Sequence, residues 1–195
     1  MTVPDFVVHL VLGTILIIGG YQPYFWCQRN PMRPVRELRL PVDDRIPFWP
    51  AWVWIYGFFY WPGVLYTGWV LESSREFVYL AISFLGLLAM QLTFFVLFPV
   101  ATPESWRAIN RGRTLSERFL AFVQRLDDRS NSFPSMHTSV ATLTALYLQP
   151  HFGTWAFVFP VLIALSCLFT KQHYVVDLPA GAALGWVAYR VFALA

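Results

Sequence analysis

The sequence predicts an all-α membrane protein, a bundle of six transmembrane helices with an interfacial amphipathic helix between the third and fourth spans. Of the 195 residues, 57% are hydrophobic and only 13% are charged, which is far from the balance of a soluble domain. Six apolar runs approach the ~20 residues that cross a hydrocarbon core. They lie at 5–22, 48–70, 77–98, 135–150, 155–171 and 173–193. We expect one domain over residues 1–195.

The first run carries Asp5 and no basic segment before it, which favours a retained span over a cleaved signal peptide. The connector 23–47 is rich in proline and arginine, so we expect it to lie along the membrane surface. Pro150 and Gly153 predict a turn between the fourth and fifth runs. Pro160 and Pro179 predict local kinks in the fifth and sixth spans.

The amphipathic helix is predicted over residues 113–126, between the third and fourth spans. Its apolar positions recur at helical spacing, and they are Leu115, Phe119, Phe122 and Leu126. Arg118 and Arg125 are available to the opposite face. A helix with this pattern is typical of the membrane interface. The alternative is a soluble helix packed on another loop, but the chain offers little soluble structure for it to pack on.

Six alternating spans place the connectors 23–47, 99–134 and 171–173 on one membrane face. That face carries twelve of the fourteen lysines and arginines, all except Arg75 and Arg190. By the positive-inside rule this face is cytoplasmic, in a bacterial inner membrane or an endomembrane. Arginines that are present on this face to bind phosphate would also raise its count of basic residues. The topology also brings two histidines, one at the start of the fourth span and one at the start of the sixth, to the same face.

These two histidines stand in the motifs Asn131–His137 and Lys171–Asp177. His173 and Asp177 are four residues apart, so on a helix they share a face and the carboxylate can hold the imidazole. Ionisable groups are costly in membrane segments, which marks them as functional candidates. With His173 as nucleophile, Asp177 as its orienter and His137 as proton donor, the set suits phosphoryl transfer through a phosphohistidine.

Phosphoryl transfer also needs groups that bind the phosphate oxygens. Pro134 suits the first turn of a helix, and Ser132 or Ser135 can cap its free amides, which makes an anion site. Lys171 is the best-placed cation, and Asn131 is a further candidate ligand. One or more arginines of the 99–134 connector complete the set of phosphate ligands. Spacing along the sequence does not choose among the four candidates, which are Arg107, Arg111, Arg113 and Arg129.

Composition excludes several other partners. Cys27 and Cys167 lie far apart in the sequence, so neither a zinc site nor a disulfide framework is indicated. The net charge of +3 on so apolar a chain does not suggest nucleic acid. We expect no metal and no cofactor. The expected partners are a phosphorylated lipid substrate and the surrounding membrane lipids, and the oligomeric state is left open.

The two motifs resemble the second and third signatures of the phosphatidic acid phosphatase type 2 superfamily, P-S-x-H and S-R-x(5)-H-x(3)-D. The resemblance covers nearly the whole chain, because the six-helix core of that family matches the six runs. It implies that His173 is the nucleophile, Asp177 its orienter, His137 the general acid and Ser135 a phosphate ligand. The amino-acid sequences of both motifs are similar to those in the branch of inositol phosphorylceramide and sphingomyelin synthases. The same holds for the segment 46–50.

The chain departs from the superfamily pattern at two cationic positions. The first signature, K-x(6)-R-P, is absent, and Thr102-Pro103 follows the third span instead. In the third signature Ser166 matches, but Cys167 takes the place of the arginine. Lys171 is the proposed substitute. These departures argue against an ordinary phosphatase more than against catalysis, since the synthase-like branch also varies at these positions.

Several functions therefore remain open from the sequence. The leading hypothesis is a metal-independent lipid phosphatase or phosphotransferase, and a headgroup synthase that passes the phospho-headgroup to ceramide or diacylglycerol uses the same three residues. A non-enzymatic transporter with a His–Asp proton relay would instead need ionisable residues near mid-span. A pseudoenzyme on the same fold, or a purely structural pairing of His173 with Asp177, completes the alternatives.

Overall fold

The computed structural model describes residues 3–193, apart from the side chain of Pro4. Within that range the chain is helical, with no strand. Its α-helices are α1 (Val3–Arg29), α2 (Pro41–Arg45), α3 (Tyr60–Val70), α4 (Ser74–Leu97), α5 (Glu104–Ala108), α6 (Leu115–Leu126), α7 (Met136–Phe152), α8 (Val158–Phe169) and α9 (Asp177–Phe192). A 3₁₀ turn at Pro50–Trp52 and a π-helical stretch at Trp54–Phe59 lead into α3, and a second 3₁₀ turn, Gly153–Phe157, leads into α8.

Three helical stretches of the described chain are long and apolar enough to cross a membrane. They are Asp5–Arg29, Ser74–Leu97 and Met136–Phe169. The third stretch contains Gly153, which ends α7 with a positive φ of 57° that glycine adopts at low cost. Its two halves, α7 and α8, pack against each other on either side of this residue. The protein is therefore an all-helical membrane protein.

Three of the helices, α4, α6 and α7, begin at a side chain that accepts a hydrogen bond from an otherwise unpaired backbone N–H group. Ser73 and Glu76 form a capping box at α4, and Thr114 and Glu117 form another at α6. At α7 the Ser135 hydroxyl accepts from the N–H of Thr138 at 3.3 Å. Serine capping of the fourth run is thus confirmed.

The proline predictions need correction. Pro134 lies before the cap of α7, outside the first turn in which we expected it. Pro160 and Pro179 fall in the first turns of α8 and α9, where the missing N–H has no helical partner, so neither kinks a span as predicted. The first helix runs on through Pro23 as far as Arg29, beyond its predicted end at residue 22.

Helix α7 is the centre of the bundle and contacts α3, α4, α8 and α9. Its closest neighbour is α9, because Gly181 and Gly185 have no side chain where α9 meets α7. A Cβ at either position would collide with a backbone oxygen, that of Ser135 or that of Ser139. The two glycines therefore set the separation of α7 and α9, as expected for small residues four apart.

The connectors between helices meet at one end of the bundle. A backbone hydrogen bond joins Arg36 to Pro99, the Val175 N–H donates to the Asp43 carboxylate, and the His173 ring nitrogen lies within hydrogen-bond distance of the Ser132 oxygen. The segments 30–49, 98–135 and 170–176 are therefore in mutual contact. The N-terminal ends of α7 and α9 open into this layer, and both motifs lie there.

Candidate active site

His173 is held by two oxygen atoms on one side of its ring. The Nδ1 atom lies 2.9 Å from the backbone oxygen of Ser132 and 3.2 Å from Oδ2 of Asp177. Both of these atoms only accept hydrogen bonds, provided that Asp177 is ionised, so Nδ1 carries the proton. The lone pair is then on Nε2, the nitrogen that faces away from both oxygens. This is the tautomer that a nucleophilic histidine requires.

The pairing of His173 with Asp177 arises in a way that the sequence did not predict. His173 lies in the turn that precedes α9, not on a helix, and Asp177 is the first residue of α9. The Asp177 carboxylate accepts from the N–H of Tyr174 at 2.9 Å, which folds the turn back over the start of the helix. A side chain that pairs with a free N–H at a helix start is favourable in the same way as an N-cap. The close approach therefore comes from a turn and not from a shared helix face.

His137 lies close to His173 although 36 positions separate them in the sequence. The two ring centroids are 6.0 Å apart at an interplanar angle of 66°. His137 stacks on Tyr56, with centroids 4.2 Å apart, and is tilted against Tyr60 at 4.8 Å. These aromatic rings fix the imidazole on the first turn of α7. The gap between the two histidines is wide enough for a phosphoryl group bonded to one ring and hydrogen-bonded to the other.

A narrow polar recess opens beside His173. Its volume is about 10 Å³, which is the space of one water molecule or one phosphate oxygen. Besides His173, the charged and amide side chains that line it are Arg107, Asp127, Asp128, Arg129, Asn131 and Gln172. The lining therefore combines two guanidinium groups and two amides, which can donate to a phosphate near His173, with two carboxyl groups.

Of the four connector arginines, two line this recess and two do not. Arg107 donates to the backbone oxygens of Gln124 and Asp127, each at 2.8 Å, and thus caps the last turn of α6. Its buried Nε atom has no partner among the described residues. Arg129 donates to the Thr102 oxygen at 3.4 Å.

The other two connector arginines, Arg111 and Arg113, are exposed and do not line the recess.

Asn131 and Ser135 are both buried at this end of the bundle, with different surroundings. Asn131 has a positive φ of 63°, and its Nδ2 donates to the Tyr24 backbone oxygen at 3.0 Å. Its Oδ1 is buried without a partner in the described chain. Ser135 is fully buried as the cap of α7, and it does not line the recess. Its hydroxyl thus serves helix capping in this structure.

Lys171 lies apart from the recess. Its ammonium group donates to the Asp43 backbone oxygen at 2.6 Å and stands 4.9 Å from the centre of the Trp106 ring. Asp43 is almost fully buried and accepts from the Val175 N–H at 2.8 Å. The lysine charge is therefore directed at α2 and at the turn before α9.

Asp127 is a residue of this region that the sequence analysis did not single out. Its carboxylate accepts hydrogen bonds from Gln28 and from the Tyr24 hydroxyl, the latter at 3.0 Å. Burial raises the pKa of Asp127, while these two hydrogen bonds and the charges of Arg107 and His173 act in the opposite direction. The signal available in the sequence was Gln28, near the end of the largely apolar first helix, because a glutamine side chain needs a polar partner when it is buried.

An apolar groove begins where the recess ends. It has a volume of about 430 Å³, within the range of small-molecule sites, and it contains His137. Tyr24, Tyr56 and Asp127 line both spaces. The rest of the groove is walled mainly by aromatic and aliphatic side chains of α1, α3 and α6, and its outer edge includes the exposed Phe122 and Leu126. The site thus joins a polar recess to an apolar groove that opens at the side of the bundle.

Residues 38–191 match a family model described as the PAP2 superfamily. The matched range contains both histidine motifs and every residue assigned above to the recess except Tyr24. The chain belongs to the PAP2 superfamily. Membership supports a phosphatase-type function on a phosphorylated substrate. No curated protein and no solved structure gives a significant match to the chain.

Proposed function

We propose that this PAP2 superfamily member removes or transfers the phosphoryl group of a phosphorylated lipid through a phosphohistidine at His173. The observation that carries the proposal is the environment of the His173 ring. Two acceptor oxygens hold the proton on Nδ1, and the ring centroid of His137 lies 6.0 Å from that of His173. An orienting carboxylate next to the ring also stabilises the positive charge that develops there during attack.

The reaction proceeds in two steps. In the first, the Nε2 lone pair of His173 attacks phosphorus, and the bond from phosphorus to the lipid oxygen breaks. Protonated His137 gives its proton to that leaving oxygen. In the second, an acceptor hydroxyl or water attacks phosphorus and gives its proton to His137. The P–N bond breaks, and its electron pair returns to Nε2.

Among the predicted phosphate ligands, the geometry favours Arg107, Arg129 and Asn131. All three line the recess, and the buried Nε of Arg107 is a donor without a partner within the described chain. Cations that face the equatorial oxygens stabilise the transition state of phosphoryl transfer. We assign Lys171 to holding α2, and Ser135 to capping α7.

A lipid substrate is supported by the apolar groove that contains His137. A phosphate at the mouth of the recess would place the attached chain in the groove, whose edge is open at the side of the bundle. We further propose six membrane crossings, at α1, residues 50–70, α4, α7, α8 and α9, since the turn at Gly153 divides the third long apolar stretch into two helices that pack together. Helix α6, with Leu115, Phe122 and Leu126 exposed, would then lie in the interface.

A headgroup synthase is the second candidate. The amino-acid sequence of the Asn131–His137 motif favours it. The burial of His173 favours it as well, because this residue is only 6% exposed and water has little access to it. A lipid alcohol that enters along the groove would reach phosphorus from the apolar side. Both candidates share the first step and differ only in the acceptor.

The experiment is an assay of purified protein against a panel of phosphorylated lipids, with and without ceramide or diacylglycerol. Free phosphate indicates hydrolysis, and a new phospholipid indicates transfer. We expect activity to persist in a chelator, and His173→Ala to abolish it. The matched control is His151→Ala, because His151 is exposed at the end of α7 away from the site. Full activity of His173→Ala would contradict the mechanism.

Asp177→Asn tests the orienting carboxylate. The asparagine side chain can still accept from the Tyr174 N–H, but it lacks the negative charge that faces Nδ1 of His173. We expect kcat to fall by about 10³- to 10⁴-fold, the order of effect seen when such a carboxylate is neutralised. Steady-state kinetics on the preferred lipid measures this, and an unchanged kcat would remove Asp177 from the mechanism.

A further inference from the structure

A second apolar cavity lies deeper in the bundle, between α1, α3, α4 and α7. Its volume is about 80 Å³, and its walls are almost entirely aliphatic and aromatic. It shares three lining side chains with the groove beside the site, namely Tyr21, Trp61 and Met136. The two spaces are therefore neighbours, separated by side chains of which Met136 is flexible.

The cavity continues along α1 toward the end of the bundle that is opposite the site. Its far wall is formed by His9 and Phe77, whose rings stack with centroids 4.2 Å apart, and by Gly68. Twelve residues of α1 separate His9 from Tyr21, about 18 Å at the usual helical rise. An unbranched chain that entered the cavity past Tyr21 could thus run about 18 Å along α1 before it met this wall.

The chemistry of the walls indicates what fills the space. A cavity lined by apolar side chains excludes water, and an empty one destabilises the fold because its lining atoms lack contacts. A hydrocarbon chain supplies these contacts and requires no hydrogen bonds. Continuity with the groove connects such a chain to a phosphate at His173.

We propose that this cavity binds an acyl chain of the lipid substrate and that its closed end at His9 and Phe77 sets the preferred chain length. The inference rests on the proposed action on a lipid phosphate. The chain of a long substrate displaces Met136 and occupies the space along α1. A short chain ends in the groove and leaves the inner cavity unfilled.

The test compares two identical substitutions on α4. Ala81 lines the inner cavity, whereas Ala89 is exposed on the same helix and lines neither space. With dipalmitoyl and dioctanoyl phosphatidic acid as substrates, Ala81→Leu should lower kcat/KM for the palmitoyl lipid at least tenfold while leaving the octanoyl lipid nearly unchanged. Ala89→Leu should keep the wild-type ratio. An unchanged ratio in Ala81→Leu would overturn the inference.

A binding measurement separates this inference from the proposed function. A phosphatidic acid with a photoreactive diazirine at the end of its acyl chain is irradiated with the His173→Ala protein, and labelled peptides are mapped by mass spectrometry. Labels near His9 and Phe77 that disappear on adding Ala81→Leu support the cavity, even if no lipid is turned over. Labels confined to outward-facing residues that do not line the cavity, such as Val78 and Ile82, would refute it, even if the enzyme is active.

Discussion

Two oxygens from different parts of the chain decide which nitrogen of His173 carries the proton. The Ser132 carbonyl comes from the segment before α7, and Asp177 comes from the start of α9. The Ser135 N–H donates to the Asp177 backbone oxygen at 3.1 Å, so the two motifs also bind each other directly. Single hydrogen bonds of this kind contribute little stability each, but together they fix the ring to one orientation.

At the same scale, Asp127 predicts a pH dependence of stability. Burial raises its pKa in the folded protein, so between the unfolded and folded pKa values the folded state holds more protons than the unfolded state. Stability should therefore be greatest below the unfolded pKa of an aspartate and should fall as pH rises through the folded value. Asp127→Asn should remove this decline. Melting temperatures of both proteins across acidic pH measure it, and parallel profiles would contradict the prediction.

At the scale of elements, the packing of α9 on α7 positions the two histidines. Gly181 and Gly185 allow α9 to approach the backbone of Ser135 and Ser139, at the turn of α7 that carries His137. Since Asp177 is only one turn before Gly181, the same contact sets the distance between the pairs His173–Asp177 and His137. Any widening of this interface should therefore separate the catalytic groups.

Gly181→Ala should reduce both stability and activity. Its Cβ would collide with the Ser135 carbonyl, and relief of such a clash by backbone movement costs about 1–3 kcal/mol. Gly19→Ala is the matched control on α1, because a Cβ there meets no atom within 4 Å. Thermal melts and the phosphate-release assay measure both effects. Equal behaviour of the two variants would show that the close approach is not required.

The contact of Lys171 with Asp43 and Trp106 predicts a structural role for the lysine. Lys171→Met removes a charge-assisted hydrogen bond and should lower the free energy of unfolding by about 1–3 kcal/mol. Competitive inhibition by inorganic phosphate should change little in this variant, whereas Arg129→Gln should weaken it. A larger loss of phosphate inhibition in Lys171→Met than in Arg129→Gln would restore the lysine as a phosphate ligand.

At the scale of the whole molecule, the connectors form one layer that contains the site and eleven of the fourteen basic residues, and Arg29 lies at the adjoining end of α1. Charge asymmetry of this kind favours a cytoplasmic orientation of the layer. A cytoplasmic site would act on lipids of the inner leaflet, since the groove opens sideways next to α6. Under the proposed function, orientation therefore decides which pool of phosphorylated lipid the protein meets.

Cysteine labelling tests this orientation. The two native cysteines are buried and can be replaced by serine, and Arg33→Cys and Glu72→Cys then place single exposed thiols in the site layer and at the opposite end. In intact cells a membrane-impermeant maleimide should label position 72 and not position 33, and in inverted vesicles the reverse. The opposite pattern would place the site on the outer side.

How far the sequence could predict the site depended on whether its residues are neighbours in the chain. The proximity of His173 to Asp177 and the capping by Ser135 were predicted from local motifs, although the pair meets through a turn and not on one helix face, and the long apolar runs follow from composition. The sequence led to Lys171 as the phosphate cation because it is near His173 in the chain. Its positive φ of 58° turns it instead toward α2, which no spacing argument could predict.

The sequence by itself determined that this is a helical membrane protein, and it singled out the two histidines and the carboxylate that we propose as the reactive set, because hydrophobic run length and motif spacing are local properties. Only the tertiary structure decided the rest. It placed Arg107 and Arg129, of the four candidate arginines, at the recess, placed Asp127 beside them, and set the groove next to a cavity along α1. These features depend on which helix faces meet, and that is set by close packing at residues such as Gly181 and not by any pattern along the chain.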